Sequence, residues 1–202
     1  GEDFETVARG KGGSEDPSVA SNGGDLGWFT AFQMVYPFEC AAFNTEEGDI
    51  SNVVRTRFGY HILEVTGKRK ARGEVQVAHI MVRMPQDAPQ DKIANAEGRI
   101  MEVKRMLMNG ESFDSMAMKY SEDPSTANKG GLLPWFGTGK MVEPFENAAF
   151  ELENPGDIAG PVRTNYGFHL IKLVDKKELP TLEESRRELS KKVRRDSRAD
   201  VT

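Results

Sequence analysis

Tyr120-Ser-Glu-Asp123-Pro-Ser125, Gly130-Gly131-Leu-Leu133-Pro-Trp135-Phe136, Met141-Val-Glu-Pro-Phe145-Glu146-Asn-Ala-Ala149-Phe150, Gly156-Asp157-Ile158, Val162-Arg163-Thr164 and Gly167-Phe168-His169 decide the fold, because the chain has already said them once. About 107 residues earlier it reads Ser14-Glu-Asp16-Pro-Ser18, Gly23-Gly24, Trp28-Phe29, Met34, Pro37-Phe38-Glu39, Ala41-Ala42-Phe43, Gly48-Asp49-Ile50, Val54-Arg55-Thr56 and Gly59-Tyr60-His61. A period this long means tandem domains and not a solenoid of short units. What both copies keep is what the unit uses.

The copies differ in completeness. Ahead of its Ser-Glu-Asp-Pro-Ser motif the second copy has about fifty residues. Residues 75–84 are β-branched and alternate, then meet Pro85, which predicts a strand and a turn. Asp91 is a candidate N-cap for a helix with Ile93, Ala96, Ile100, Val103 and Leu107 at helical spacing, closed by Asn109-Gly110. Ser112 caps a shorter helix with Phe113, Met116, Ala117 and Tyr120 on one face. After the motif, residues 131–136 read as a strand, Pro144 opens a helix at its first position, 154–156 turn, and 160–164 and 168–174 form a hairpin. The first copy starts at the match of Gly110 and has no counterpart of the first strand and long helix. The chain therefore reads as a fragment of a longer protein, and a signal peptide could have been removed with the missing part. The expected architecture is α+β: two tandem domains, each an antiparallel four-stranded sheet ringed by helices, the first incomplete at its N-terminus. The expected boundaries are an incomplete domain 1–68 with an unpaired or borrowed sheet edge, a linker 69–73, a complete domain 74–176 and a polar C-terminal helix in 177–202 that runs from Thr181 to about Ala199.

A chain of 202 residues has room for two domains of ordinary size, and 38% apolar with 29% charged residues suits a globular protein. A net charge of −5 argues against nucleic acid as the main partner, since phosphate binding needs a clustered basic surface. The run Lys68-Arg69-Lys70-Ala71-Arg72 reads as a solvated linker. Cys40 is the single cysteine and Asn147 stands at its place in the second copy, so neither a disulfide within the chain nor a shared thiol chemistry is expected. No Cys/His cluster has zinc spacing, and no apolar run approaches the roughly 20 residues of a membrane span. No metal and no cofactor is expected.

Singly, the chemistry-bearing residues read as structure. His79 and His169 could be core histidines, Asp123 the start of an Asx turn before Pro124, and Trp135, Phe136, Met141 and Phe145 plain core. Repetition weighs against that for His169, whose place His61 takes, and for Asp123, echoed by Asp16. The combination of Val77-Ala-His79-Ile-Met-Val with the motifs quoted above resembles the parvulin family of peptidyl-prolyl cis-trans isomerases over residues 74–175 and over the partial copy from Gly1 to about Lys68. The tandem arrangement is similar to periplasmic survival-factor chaperones and extracytoplasmic foldases.

The resemblance implies roles. The paired active-site histidines fall on His79 and His169, the cysteine-or-aspartate position on Asp123, and a hydroxyl beside the histidines on Thr164. Leu133, Met141 and Phe145, with Trp135 and Phe136, fall on the substrate-binding surface for proline. In the first copy the matches are Asp16, Leu26, Met34, Phe38, Thr56 and His61, without a first histidine. The implied activity is non-covalent isomerisation of X-Pro bonds in unfolded or extended polypeptides, among them outer-membrane or secreted clients, in a periplasmic or other extracytoplasmic folding factor. The alternative is an inactive parvulin-fold module that holds unfolded chains. A basic cluster for phosphorylated substrates is not matched: only Arg83 fits it, in a loop that carries Asp87 and Asp91.

Overall fold

The computed structural model describes residues 1–195. They divide into two compact units, one formed by residues 1–71 with the stretch from Pro180 onward, the other by residues 72–179.

The first unit carries α1 (Phe4–Arg9), α2 (Val19–Asn22), α3 (Tyr36–Asn44), β1 (Val54–Thr56) and β2 (Gly59–His61). Asp3 caps α1 by accepting the Thr6 amide. The only sheet among its described residues is the β1–β2 hairpin, extended by a bridge between Ile50 and Glu64.

The second unit runs β3 (Glu74–Arg83), α4 (Gln90–Met108), α5 (Phe113–Tyr120), a 3-10 turn at Ala127–Lys129, α6 (Glu143–Glu151), β4 (Ile158–Thr164) and β5 (Gly167–Lys177). A last helix, α7 (Leu182–Arg195), belongs to the first unit. The expected continuation of that helix to Ala199 lies outside the described residues.

Alternation along β3 and β5 sorts their side chains onto two faces. Ala78, Ile80, Val82, Phe168 and Leu170 lie on one face with Ala96, Ile100 and Val103 of α4 and Phe113, Met116 and Ala117 of α5. Val75, Val77, Ile171 and Leu173 lie on the other with Phe145, Ala149 and Phe150 of α6. Both strands are thus covered on both sides and read as nearly continuous apolar runs. Each fully buried aliphatic, such as Ile80, Ile100 or Leu170, contributes about 1.5–3 kcal/mol of transfer free energy.

Three expectations need correction. The regular sheet has three strands, ordered β3-β5-β4 and all antiparallel, and not four. The expected fourth strand, residues 131–136, touches β3 only through the bridges Val75–Phe136 and Ala78–Leu132. Its hydrogen bonds cluster at its ends and at Leu133, because Pro134 between them has no N–H to give to a ladder. Finally, Asp91 does not cap α4. The helix starts from Pro89, whose carbonyl accepts the Lys92 and Ile93 amides, and Asp91 sits in the first turn, where its charge suits the helix dipole. Ser112 does cap α5, through the Ser115 amide.

Candidate active site

Register brings the two histidines together. On β3 and β5, His79 lies opposite Ile171 and Met81 opposite His169, so the histidines are diagonal neighbours on one face. Their rings stack at 13° with centroids 5.6 Å apart, and the two Nδ1 atoms are 3.4 Å apart. Both side chains are buried, His79 at 7% and His169 at 4% exposure, which makes satisfaction of every ring nitrogen a requirement.

The outer nitrogens are satisfied at both ends. His169 Nε2 lies 2.8 Å from Thr164 Oγ1, whose hydroxyl also accepts the Tyr166 amide at the hairpin turn. His79 Nε2 lies 2.8 Å from Asp123 Oδ2 and 3.1 Å from Thr126 Oγ1. Asp123 accepts further bonds from the Ser125 amide and hydroxyl and from the Thr126 hydroxyl. Burial pushes the Asp123 carboxyl upward, and the bonds from Thr126, His79 and Ser125 outweigh it, holding the group below the usual carboxylate range. Burial is also the first cause at His169. With the neighbouring His79 it lowers that imidazole to about 4, against a smaller opposing pull from Asp123.

These constraints orient the protons. An ionised Asp123 only accepts, so Thr126 O–H and His79 Nε2–H both donate to it. The two Nδ1 atoms bond the rings to each other, and His169 Nε2 bonds Thr164 Oγ1. The result is a continuous chain of hydrogen bonds that links Thr164, both imidazoles and the carboxylate.

Phe145 closes the apolar side. Its ring meets His79 at 87° and 5.6 Å and His169 at 81° and 5.3 Å. Leu133 and Met141 pack against the apolar cluster that holds Phe145, and both remain half-buried. Phe136 is buried against Phe145 and Phe150. Trp135 stands apart. As the neighbour of Phe136 in an extended segment it faces the other way, and its ring carries the Lys177 ammonium 3.6 Å above it at the end of β5.

The first copy keeps half of this arrangement. His61 Nε2 is 2.7 Å from Thr56 Oγ1, and Phe38 meets His61 edge-on at 5.4 Å. Met34 is half-buried, Leu26 is 46% exposed, and Asp16 bonds the Ser18 amide. No second histidine accompanies them.

Sequence reading missed two residues of the site. One is Glu146, in the first turn of α6, where its charge suits the helix dipole. It is 3% exposed, accepts the Gly139 amide in the loop that carries Met141, and pairs with Arg72 at 2.8 Å. Its repetition as Glu39, which accepts the Met34 amide, was the available signal. Thr126 had no such signal, since Val19 stands at its place in the first copy. Among the described residues no cluster of His, Cys, Asp and Glu could hold a metal ion.

The profile of the PPIC-type PPIASE (peptidyl-prolyl isomerase) domain matches this chain over residues 1–69 and again over 65–177. Chaperone SurA from Nitrosococcus oceani is 31% identical over 196 residues, 95% of this chain and 44% of the relative. Foldase protein PrsA from Geobacillus kaustophilus is 35% identical over 151 residues, covering 72% of this chain and 49% of the foldase. The crystal structure of the peptidylprolyl isomerase PrsA from Bacillus cereus is 39% identical and covers 62% of this chain and 44% of that one, at a TM-score of 0.47. The chain spans less than half the length of these curated relatives. With a PPIC-type match spanning nearly all of residues 1–177, the chain belongs to the PPIC-type (parvulin) peptidyl-prolyl isomerase domain family.

Proposed function

We propose that residues 72–179 catalyse cis-trans isomerisation of X-Pro bonds in unfolded or extended polypeptides, as part of an extracytoplasmic folding factor. The observation that carries this reading is the Thr164–His169–His79–Asp123 chain of hydrogen bonds lying against the Phe145 ring, with Leu133 and Met141 half-buried against the apolar cluster of Phe145.

The chemistry follows from the amide. Resonance sets a barrier of about 18–20 kcal/mol to rotation about C–N. Twisting the bond breaks that resonance and leaves a less polar C–N unit than the planar ground state. A water-poor apolar surface that holds the proline ring therefore binds the twisted state better than the planar one. Phe145, Met141 and Leu133 supply that surface, and the Met141 thioether side chain adapts to varied neighbours. The Asp123 carboxylate, kept ionised and fixed by its donors, adds a placed negative charge beside the rotating carbonyl. The two histidines and Thr164 hold that charge in position. No bond to the substrate is made or broken.

The first unit keeps His61, Thr56 and Phe38 of the same arrangement. Clients are unfolded proline-containing chains, including outer-membrane or secreted proteins. No described helix is long and apolar enough to cross a membrane.

Substitution at Asp123 tests the mechanism. In a protease-coupled assay with an X-Pro peptide, Asp123→Ala lowers kcat/KM about tenfold, the loss of one electrostatic contact of about 1.4 kcal/mol. Asp123→Cys retains activity, because an anionic or polar group at this point suffices. A loss of many orders of magnitude in Asp123→Ala would instead mean direct chemistry by the carboxylate.

A further inference from the structure

We propose that Thr126 is a positioning residue: its hydroxyl, wedged between Asp123 and His79, locks the carboxylate onto the histidine pair in the orientation that the rotating bond requires. This inference rests on the isomerase reading of the same site.

Thr126 lies just ahead of the 3-10 turn and is 4% exposed. Its Oγ1 donates to Asp123 Oδ2 and accepts from His79 Nε2 at 3.1 Å. The Nε2–H of His79 is thus shared between two oxygens that are themselves bonded. Removing the hydroxyl leaves Asp123 Oδ2 with His79 as its main partner and lets the carboxylate swing about its Cα–Cβ bond toward Ser125, whose hydroxyl reaches both of its oxygens.

A buried threonine that satisfies its hydroxyl is an ordinary core device, and the first copy separates that reading from a functional one. At the matching place stands Val19, isosteric with threonine and buried at 7%. Two features of the loop recur, although Val19 opens the α-helix α2 and Thr126 precedes a 3-10 turn. Asp16 accepts the Ser18 amide at 2.9 Å, as Asp123 accepts the Ser125 amide at 3.1 Å. Gly23 adopts φ 69°, ψ 9°, and Gly130 adopts φ 66°, ψ 21°. The loop therefore folds without the hydroxyl. What the hydroxyl adds in the second unit is directed at Asp123 and His79.

The variants Thr126→Val and Thr126→Ser of the whole 202-residue chain test this. Two readouts are needed: kcat and KM for an X-Pro peptide, and the titration of the Asp123 carboxyl carbon followed by NMR. The titratable groups facing Asp123 are His79 on β3 and, behind it, His169 on β5, and both are unchanged in these variants. Thr126→Val is expected to keep the wild-type melting temperature within a few degrees, to lower kcat about tenfold with KM unchanged, and to move the Asp123 titration up toward the ordinary carboxylate range. Thr126→Ser restores both. Should valine prevent folding, Thr126→Ala carries the same two expectations. Wild-type kcat in the valine variant, a serine variant as impaired as valine, or lost activity with an unmoved Asp123 titration each overturns the proposal. A wild-type chain without isomerase rate overturns the functional reading instead, and the Asp123 titration then still decides whether Thr126 positions the carboxylate.

Discussion

At the residue scale, burial lowers His169, while at Asp123 hydrogen bonds outweigh burial and lower the carboxyl. His169 is buried and its imidazole is lowered from 6.5 to about 4, so the folded state holds it neutral where the unfolded chain would protonate it. Between those values the unfolded state binds more protons, so stability from this group is fully present above 6.5 and is lost as the pH falls toward 4. Asp123 is lowered too, and its contribution is lost only further down, below the ordinary carboxylate range. Urea unfolding at pH 7.5 and pH 4.5 is therefore expected to show a smaller pH-dependent loss in His169→Asn than in the wild type. An equal loss in both would place the titrating group elsewhere. The histidines were legible in the sequence because one of them repeats as His61. Thr126 was not, because an isosteric valine in the other copy hides a hydroxyl that only the folded loop aims at its partners.

At the element scale, the segment 131–136 matters more for what it approaches than for the sheet it almost joins. Gly131 sits at φ +79°, and a Cβ there would come within 2.2 Å of the His79 carbonyl oxygen. Gly131→Ala must push the loop off β3 at the point where His79 is held, so it is expected to cost about 2 kcal/mol or more and to lower activity with it. Gly98→Ala is the matched contrast. It lies inside α4 with nothing within 4 Å of the added carbon, and is expected to stabilise by about 0.8–1 kcal/mol. Chemical denaturation of the two variants checks both signs. The helices and the 167–177 strand were readable from periodicity. The fourth strand was over-read, since alternation and aromatic content at 132–136 speak for a strand while Pro134 alone withholds the ladder.

At the scale of the whole molecule, residues that match between the two copies differ in burial within these 202 residues. Phe168 and Leu170 are 6% and 0% exposed between β3 and the helices, whereas their matches Tyr60 and Ile62 are 73% and 54% exposed on the hairpin of the first unit. Leu170→Ala is therefore expected to cost about 2–5 kcal/mol, and Ile62→Ala less than about 0.5 kcal/mol, by urea denaturation. Comparable costs at the two sites would mean that the first unit is packed like the second. The repeat marked which residues correspond. It did not mark burial, because burial at Phe168 and Leu170 comes from packing against β3, α4 and α5.

The most direct test of the account is the cis-trans exchange rate of an X-Pro peptide, measured by NMR exchange spectroscopy with catalytic amounts of the 202-residue chain, wild type and Met141→Ala with Phe145→Ala. Uncatalysed exchange takes tens of seconds or longer. The wild type is predicted to speed exchange well above that, and the double variant to lose most of the gain while its far-UV spectrum still reports folded helices and sheet. A folded wild type that leaves the exchange rate at its uncatalysed value would contradict the account and leave a module that binds extended chains without isomerising them.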